Sequence, residues 1–114
     1  MIQMDRDRSY LLRMYEHCER IEKAKIRFGG TFEQFADDPD YRDVICMNIF
    51  QIGELANQIS GETQSSLADI PWRQMYAIRN IFAHAYIKID EKIVWDTVVN
   101  DLPKLKARLE EVIY

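Results

Sequence analysis

Apolar side chains recur every three or four positions along four stretches of this chain, which is the spacing of one buried face of an α-helix. The first stretch runs from about Asp7 to Phe28 and ends at Gly29 and Gly30, a usual helix stop. No stretch shows the alternating pattern of a β-strand. Four substantial helices with short connections predict an all-α fold, an up-and-down bundle of four main helices plus one short helix.

Local signals mark the starts of the second and third helices. Thr31 and Gln34 have the spacing of a capping box, which predicts a short helix that closes one end of the bundle. Asp38-Pro39 predicts the start of a long helix that runs to Gly61. The polar segment from Glu62 to Asp69 is rich in Ser and Thr and predicts a connecting loop.

The last two helices have equally clear starts. Pro71 suits the first turn of one helix, and Asp90 suits the cap of the other. Pro103 lies inside the final helix and predicts a kink or break about one turn earlier. These two helices carry more inward-facing apolar candidates than one small bundle can bury, which favours a homodimer.

The composition indicates one ordinary globular domain over residues 1–114. The chain of 114 residues is 47% hydrophobic and 30% charged, and it has no apolar run near the ~20 residues of a membrane span. The first residues lack the apolar centre of a secretory signal, so we expect the protein in the cytoplasm. The net charge of −4 argues against a broad basic surface for long nucleic acids. It leaves room for a local basic cleft or for a basic partner protein.

Neither cysteine looks chemically active. Cys18 and Cys46 fall on apolar sides of predicted helices, where a free cysteine packs as a small hydrophobe. The chain has no CxxC pair and no second histidine at ligand spacing, since His17 beside Cys18 points in another direction. The sequence therefore predicts no metal and no cofactor.

One segment, residues 79–86, concentrates the groups that can do chemistry. Asn80 and His84 lie one turn apart on the same side of the predicted helix, so the amide could orient the imidazole. Arg79 lies roughly 140° around the axis from His84, a gap that a long guanidinium arm can largely close. Arg73 and Lys88 add positive charge on either side. The alternative is structural: an arginine at a helix edge, a histidine capping the helix end and a packed tyrosine.

The preceding helix contains a glycine followed by an acid. Gly53 costs about 1 kcal/mol of helix propensity, which indicates either a close backbone approach or mere tolerance. Glu54 is either a solvated or ion-paired carboxylate or a partner that supports Arg79.

The pattern R-x-x-x-x-H-x-Y, formed by Arg79, His84 and Tyr86, resembles the motif of the HepT-like ribonucleases of the HEPN superfamily. Three further segments agree with the resemblance and extend it from about Val44 to the C-terminus: Ile52-Gly53-Glu54, Ile70-Pro71-Trp72 and Asp101-Leu102-Pro103-x-Leu105.

The resemblance implies a HEPN-like fold and a metal-independent endoribonuclease. His84 would act as acid or base, Arg79 would hold the phosphate, and Asn80 and Glu54 would support them. An unperturbed histidine suits either proton-transfer role near neutral pH. The resemblance further implies a site built from both motifs of a homodimer. It also implies the role of toxin in a toxin–antitoxin pair, whose partner, a minimal nucleotidyltransferase, transfers AMP to Tyr86.

Two other classes of function remain open on the residues alone. A non-catalytic module could use Arg79 and its neighbours to hold a nucleotide or an RNA phosphate. A helical interaction partner of a nucleotidyltransferase could use the same motif as an interface hot spot. Tyr86 itself could be a packed aromatic whose hydroxyl bonds to backbone.

Overall fold

The structure is a computed structural model that describes the backbone of residues 4–85 and 90–114 and the side chains of residues 6–79 and 90–114. The described residues form seven α-helices and one π-helical segment: α1 (Met4–Phe28), α2 (Phe32–Asp37), α3 (Pro39–Gln58), α4 (Gly61–Ser66), α5 (Trp72–Ala85), α6 (Glu91–Asp96), the π segment (Thr97–Asp101) and α7 (Leu102–Ile113). No strand occurs in this part of the chain. The expected all-α bundle is confirmed, with α1, α3, α5 and the continuous run from α6 to α7 as its four main helices.

The core lies where α3 meets α1 and where α7 meets α1. Helices α1, α3 and α7 each contribute one buried stripe, because apolar residues at three-to-four spacing share a face. The described apolar side chains of α5 that pack on this core are only half-buried. The most deeply buried apolar side chains of the core are Met14, Tyr41, Ile45 and Leu109. Cys18 and Cys46 are free and buried in the same core, and burial raises the pKa of the Cys18 thiol to about 12 and that of Cys46 to about 11. Both thiols therefore stay protonated and serve as packing groups.

Helix α2 closes one end of the bundle, as the capping box predicted. The Thr31 hydroxyl accepts from the Gln34 amide, and the Gln34 side chain accepts from the Thr31 amide. The Phe35 ring stacks on Trp95, with 5.3 Å between the ring centroids, and packs edge-on against Tyr41, with 5.4 Å between the centroids. This aromatic cluster ties α2 to α3 and α6.

The connection between α3 and α5 differs from the expected loop, because it contains the short helix α4. Ser60 caps α4 by accepting from the Thr63 amide. The carboxylate of Asp7 is only 1% exposed and accepts a hydrogen bond from the Ser60 backbone amide. It also accepts from the hydroxyls of Ser60 and Thr63, each at 2.6 Å. Burial alone would raise the pKa of Asp7, but these hydrogen bonds outweigh it and leave that pKa below its usual value. The network fixes the start of α1 to the α3–α4 corner.

The final helix is irregular where Pro103 predicted it. Pro103 has no N–H to donate to the helix. The turn before it is π-helical and holds one extra residue, so the Leu102 N–H donates to the Thr97 carbonyl, five residues earlier. Asp90 caps this helix, as predicted, by accepting from the amides of Lys92 and Ile93. None of the described helices is both long enough and apolar enough to cross a bilayer.

Candidate active site

Helix α5 packs against α3 at unusually short range around Gly53. A Cβ on residue 53 would collide with the Cβ of Arg79 and lie 3.0 Å from the carbonyl oxygen of Met75. The glycine therefore marks a close approach of two helices, which decides between the two readings of its position. Its cost in helix propensity is offset by the contact it allows between α3 and α5.

This contact brings the first motif residue onto a carboxylate. Arg79 Nε donates to Glu54 Oε1, and the two side chains are only 26% and 35% exposed. The pairing fixes the guanidinium through Nε, while its two terminal nitrogens make no hydrogen bond to the described part of the chain. A guanidinium held in this way still presents terminal N–H donors to a phosphate.

A second neighbour of Arg79 comes from its own helix. The guanidinium carbon lies 5.8 Å from the ring centroid of Tyr76, one turn earlier on α5, and that tyrosine is 44% exposed. The two residues are three positions apart and so share a face. Tyr76 was not predicted as a site residue, although its spacing from Arg79 on a predicted helix was a signal that could have found it.

The remaining motif residues are placed by backbone or lie outside the described residues. Asn80 and His84 belong to α5, and both follow Arg79 on the same continuous helix. On that helix His84 comes about 7.5 Å further along the axis than Arg79. The predictions for Tyr86 and Lys88 fall on residues outside those the structure describes.

A groove opens beside this site, between the C-terminal half of α3, helix α4 and the N-terminal half of α5. This α4 groove is open to solvent and has a volume of about 870 Å³, and its lining includes Asn57, Gln64, Ser65, Trp72, Arg73 and Tyr76. Because α5 runs antiparallel to α3, the groove leads away from Arg79 towards the start of α5. Tyr76 stands between the groove and Arg79.

The part of the chain that the structure describes contains no cluster of side chains that could bind a metal ion. No group of three or more His, Cys, Asp or Glu side chains lies close enough there to hold an ion. His17 Nδ1 instead lies 2.8 Å from Asn48 Oδ1, and Asn48 Nδ2 donates to the Val44 carbonyl. Since that amide has used its N–H on the carbonyl, its oxygen accepts and His17 Nδ1 donates. His17 is thus a structural link between α1 and α3.

Comparison with known proteins gives consistent matches over nearly the whole chain. The sequence profile of the family described as Ribonuclease HepT-like matches residues 14–112. A protein of Caldanaerobacter subterraneus, provisionally named an RNase, is 27% identical over 111 residues, which is 96% of each chain. A protein of Thermococcus cleftensis, provisionally named ribonuclease HepT, is 30% identical over 92% of this chain and 94% of its own. One from Methanocaldococcus jannaschii, provisionally named an RNase, is 31% identical over 69% of this chain and 81% of its own. No solved structure gives a significant match.

Proposed function

This chain belongs to the HepT-like ribonuclease family and is an endoribonuclease, and from that premise we propose that it cleaves RNA without a metal ion through Arg79 and His84. The observation that carries the proposal is the fixed guanidinium of Arg79, held by Glu54 five residues before His84 on one helix. A guanidinium in this position supplies the positive charge that a reacting phosphodiester needs.

The chemistry follows from the two side chains. One imidazole takes the proton of a ribose 2′-hydroxyl, the 2′-oxygen attacks phosphorus, and the bond from phosphorus to the 5′-oxygen breaks. The leaving 5′-oxygen takes a proton, and Arg79 neutralises charge on the phosphoryl oxygens. The products are a 2′,3′-cyclic phosphate and a 5′-hydroxyl. Asn80 supports His84 in this scheme, and Glu54 positions Arg79.

Two proton transfers need two groups, and each chain has one motif histidine. We propose that a homodimer supplies the second His84 across a twofold axis. Large apolar side chains exposed on α3 support this placement. Met47, two turns before Glu54 on the same face of α3, is 58% exposed. Val44, nearly one turn before Met47, is 36% exposed, and the two form an apolar surface that a second copy would cover.

We further propose a biological role for this activity. The enzyme acts in the cytoplasm as the toxin of a toxin–antitoxin pair, and a minimal nucleotidyltransferase neutralises it by transferring AMP to Tyr86. Tyr86 lies two residues beyond His84 in sequence. A bulky anionic nucleotide attached there would obstruct the site and compete with RNA phosphate for Arg79.

The test is cleavage of cellular RNA by purified protein in excess chelator. We expect defined fragments ending in cyclic phosphate, no cleavage of RNA whose 2′-hydroxyls are methylated, and a loss of about 10²-fold or more in Arg79→Ala and in His84→Ala. Circular dichroism and sedimentation check that both variants remain folded dimers. Equal activity in the folded variants, or a retarded RNA complex without fragments, would refute the catalytic assignment.

A further inference from the structure

Tyr76 exposes a large aromatic ring at the edge of the candidate active site. It is 44% exposed, and the only cation on its ring among the described residues is Arg79, at 5.8 Å from the centroid. With 44% of its surface open to solvent, the Tyr76 side chain has room for a planar group to stack on its ring. An exposed aromatic beside a phosphate-binding arginine is the pair that binds a base and its phosphate in single-stranded nucleic acid sites.

The α4 groove continues from this ring and is rigid on two sides. Trp72 Nε1 donates to the Leu67 carbonyl at 3.0 Å, which fixes the indole as a wall. Gln64 Nε2 donates to the carbonyls of Ala56 and Ile59, so its amide is oriented and its oxygen remains an acceptor. The groove thus combines a fixed amide with the exposed polar side chains of Asn57 and Ser65. Such groups suit hydrogen bonds to base edges.

A second cation lies at the right distance along the same helix. Arg73 is exposed, lines the groove and precedes Tyr76 by three residues, as Tyr76 precedes Arg79. The two arginines are separated by about 9 Å along the helix axis. That distance leaves room for a nucleoside between two phosphate contacts, with its base over the Tyr76 ring.

We propose that Tyr76 and the α4 groove form a subsite for single-stranded RNA, with one base stacked on Tyr76 and the neighbouring phosphate on Arg73. The assignment rests on the proposed function, because Arg79 marks the phosphate that is cleaved. Single-stranded RNA is then the class of substrate that this site takes. Bases in duplex RNA are stacked inside the helix and cannot reach the ring. A chain of net charge −4 also gains little from the phosphates alone, so stacking must supply much of the affinity.

Binding is measured with cleavage switched off. The protein carries His84→Ala, and fluorescence anisotropy follows an end-labelled single-stranded RNA. We expect Tyr76→Ala to weaken binding about tenfold or more and Tyr76→Phe to restore most of the affinity, because the ring is what stacks. Tyr114→Ala is the matched control, since Tyr114 is also exposed but packs near Tyr15 on α1. Equal affinity in Tyr76→Ala and Tyr114→Ala would overturn the proposal, as would an equal affinity for duplex RNA.

The stacking itself is tested with RNAs in which one nucleotide at a time lacks its base. We expect a single position at which loss of the base raises KM about tenfold in the active protein and has no further effect in Tyr76→Ala. An equal rise in KM on removal of this base in both proteins would overturn the stacking role. Tyr76-dependent RNA binding without any cleavage by the active protein would refute the proposed function and leave the subsite standing. Cleavage by Tyr76→Ala with an unchanged KM would refute the subsite and leave the proposed function standing.

Discussion

Gly53 and Arg79 share one small volume: the Cβ of Arg79 occupies the space that a side chain on residue 53 would need. The absence of a side chain at Gly53 on α3 therefore determines where the side chain of Arg79 can start on α5. Glu54, the next residue on α3, then pairs with that guanidinium. The glycine and the glutamate act in sequence, because the first sets the distance between the helices and the second sets the direction of the arginine.

Gly53→Ala should disrupt both stability and cleavage. The added methyl forces α5 away from α3, an overpacking that costs about 1–3 kcal/mol against a gain of about 1 kcal/mol in helix propensity. We expect cleavage to fall about tenfold or more, because Arg79 is displaced. Gly61→Ala is the control, since a Cβ there meets no atom within 4 Å. Urea unfolding and cleavage assays report the two effects, and a Gly53→Ala protein as active as Gly61→Ala would contradict the prediction.

Glu54→Ala should lower kcat/KM about fivefold. Without Glu54 the Arg79 side chain is mobile in the free protein, so it must lose rotamer freedom when it binds the phosphate. Glu54→Gln keeps an oxygen that can accept from Arg79 Nε and should retain most of the activity. The pair of variants separates orientation from charge. Steady-state kinetics on a short RNA measures both, and a loss in Glu54→Gln as large as in Glu54→Ala would assign the effect to the negative charge instead.

Asp7→Asn should destabilise the protein most at neutral pH. The folded carboxylate has a lowered pKa, so its contribution is present above the unfolded pKa near 3.8 and is lost as the pH falls through the lower folded value. We expect a cost of about 2 kcal/mol at about pH 7, shrinking at about pH 3. Urea unfolding at both values measures it. Asp37→Asn, at an exposed position, is the control, and a cost for Asp7→Asn that is independent of pH would argue against a charged Asp7.

Tyr86→Phe should keep folding and cleavage but escape neutralisation by the nucleotidyltransferase, because the ring remains and the acceptor oxygen is gone. Mass spectrometry of protein co-expressed with the partner should show an adenylate increment on Tyr86 that the variant lacks. An increment mapped to another residue, or unchanged in Tyr86→Phe, would remove Tyr86 from this role.

The sequence by itself determined the main helices and several of their limits, since these depend on neighbours a few residues apart. The capping box at Thr31 and Gln34, the Asp90 cap and the irregular turn before Pro103 all follow from local bonding that the residue order specifies. The order of Arg79, Asn80 and His84 on one helix was readable for the same reason. Local signals were incomplete at α4, where Ser60 caps a short helix within the expected loop, so that α3 ends at Gln58 and not at Gly61. Helix α1 also begins earlier than expected, at Met4 and not at about Asp7.

The tertiary structure decided which distant residues meet. Glu54 and Arg79 are 25 positions apart and Asp7 and Ser60 are 53 apart, and helical periodicity carries no information about such pairs. Their contacts depend on which faces of α1, α3 and α5 bury together and at what distance. The α4 groove beside Tyr76 has the same origin, because three helices and one close approach at a glycine create it.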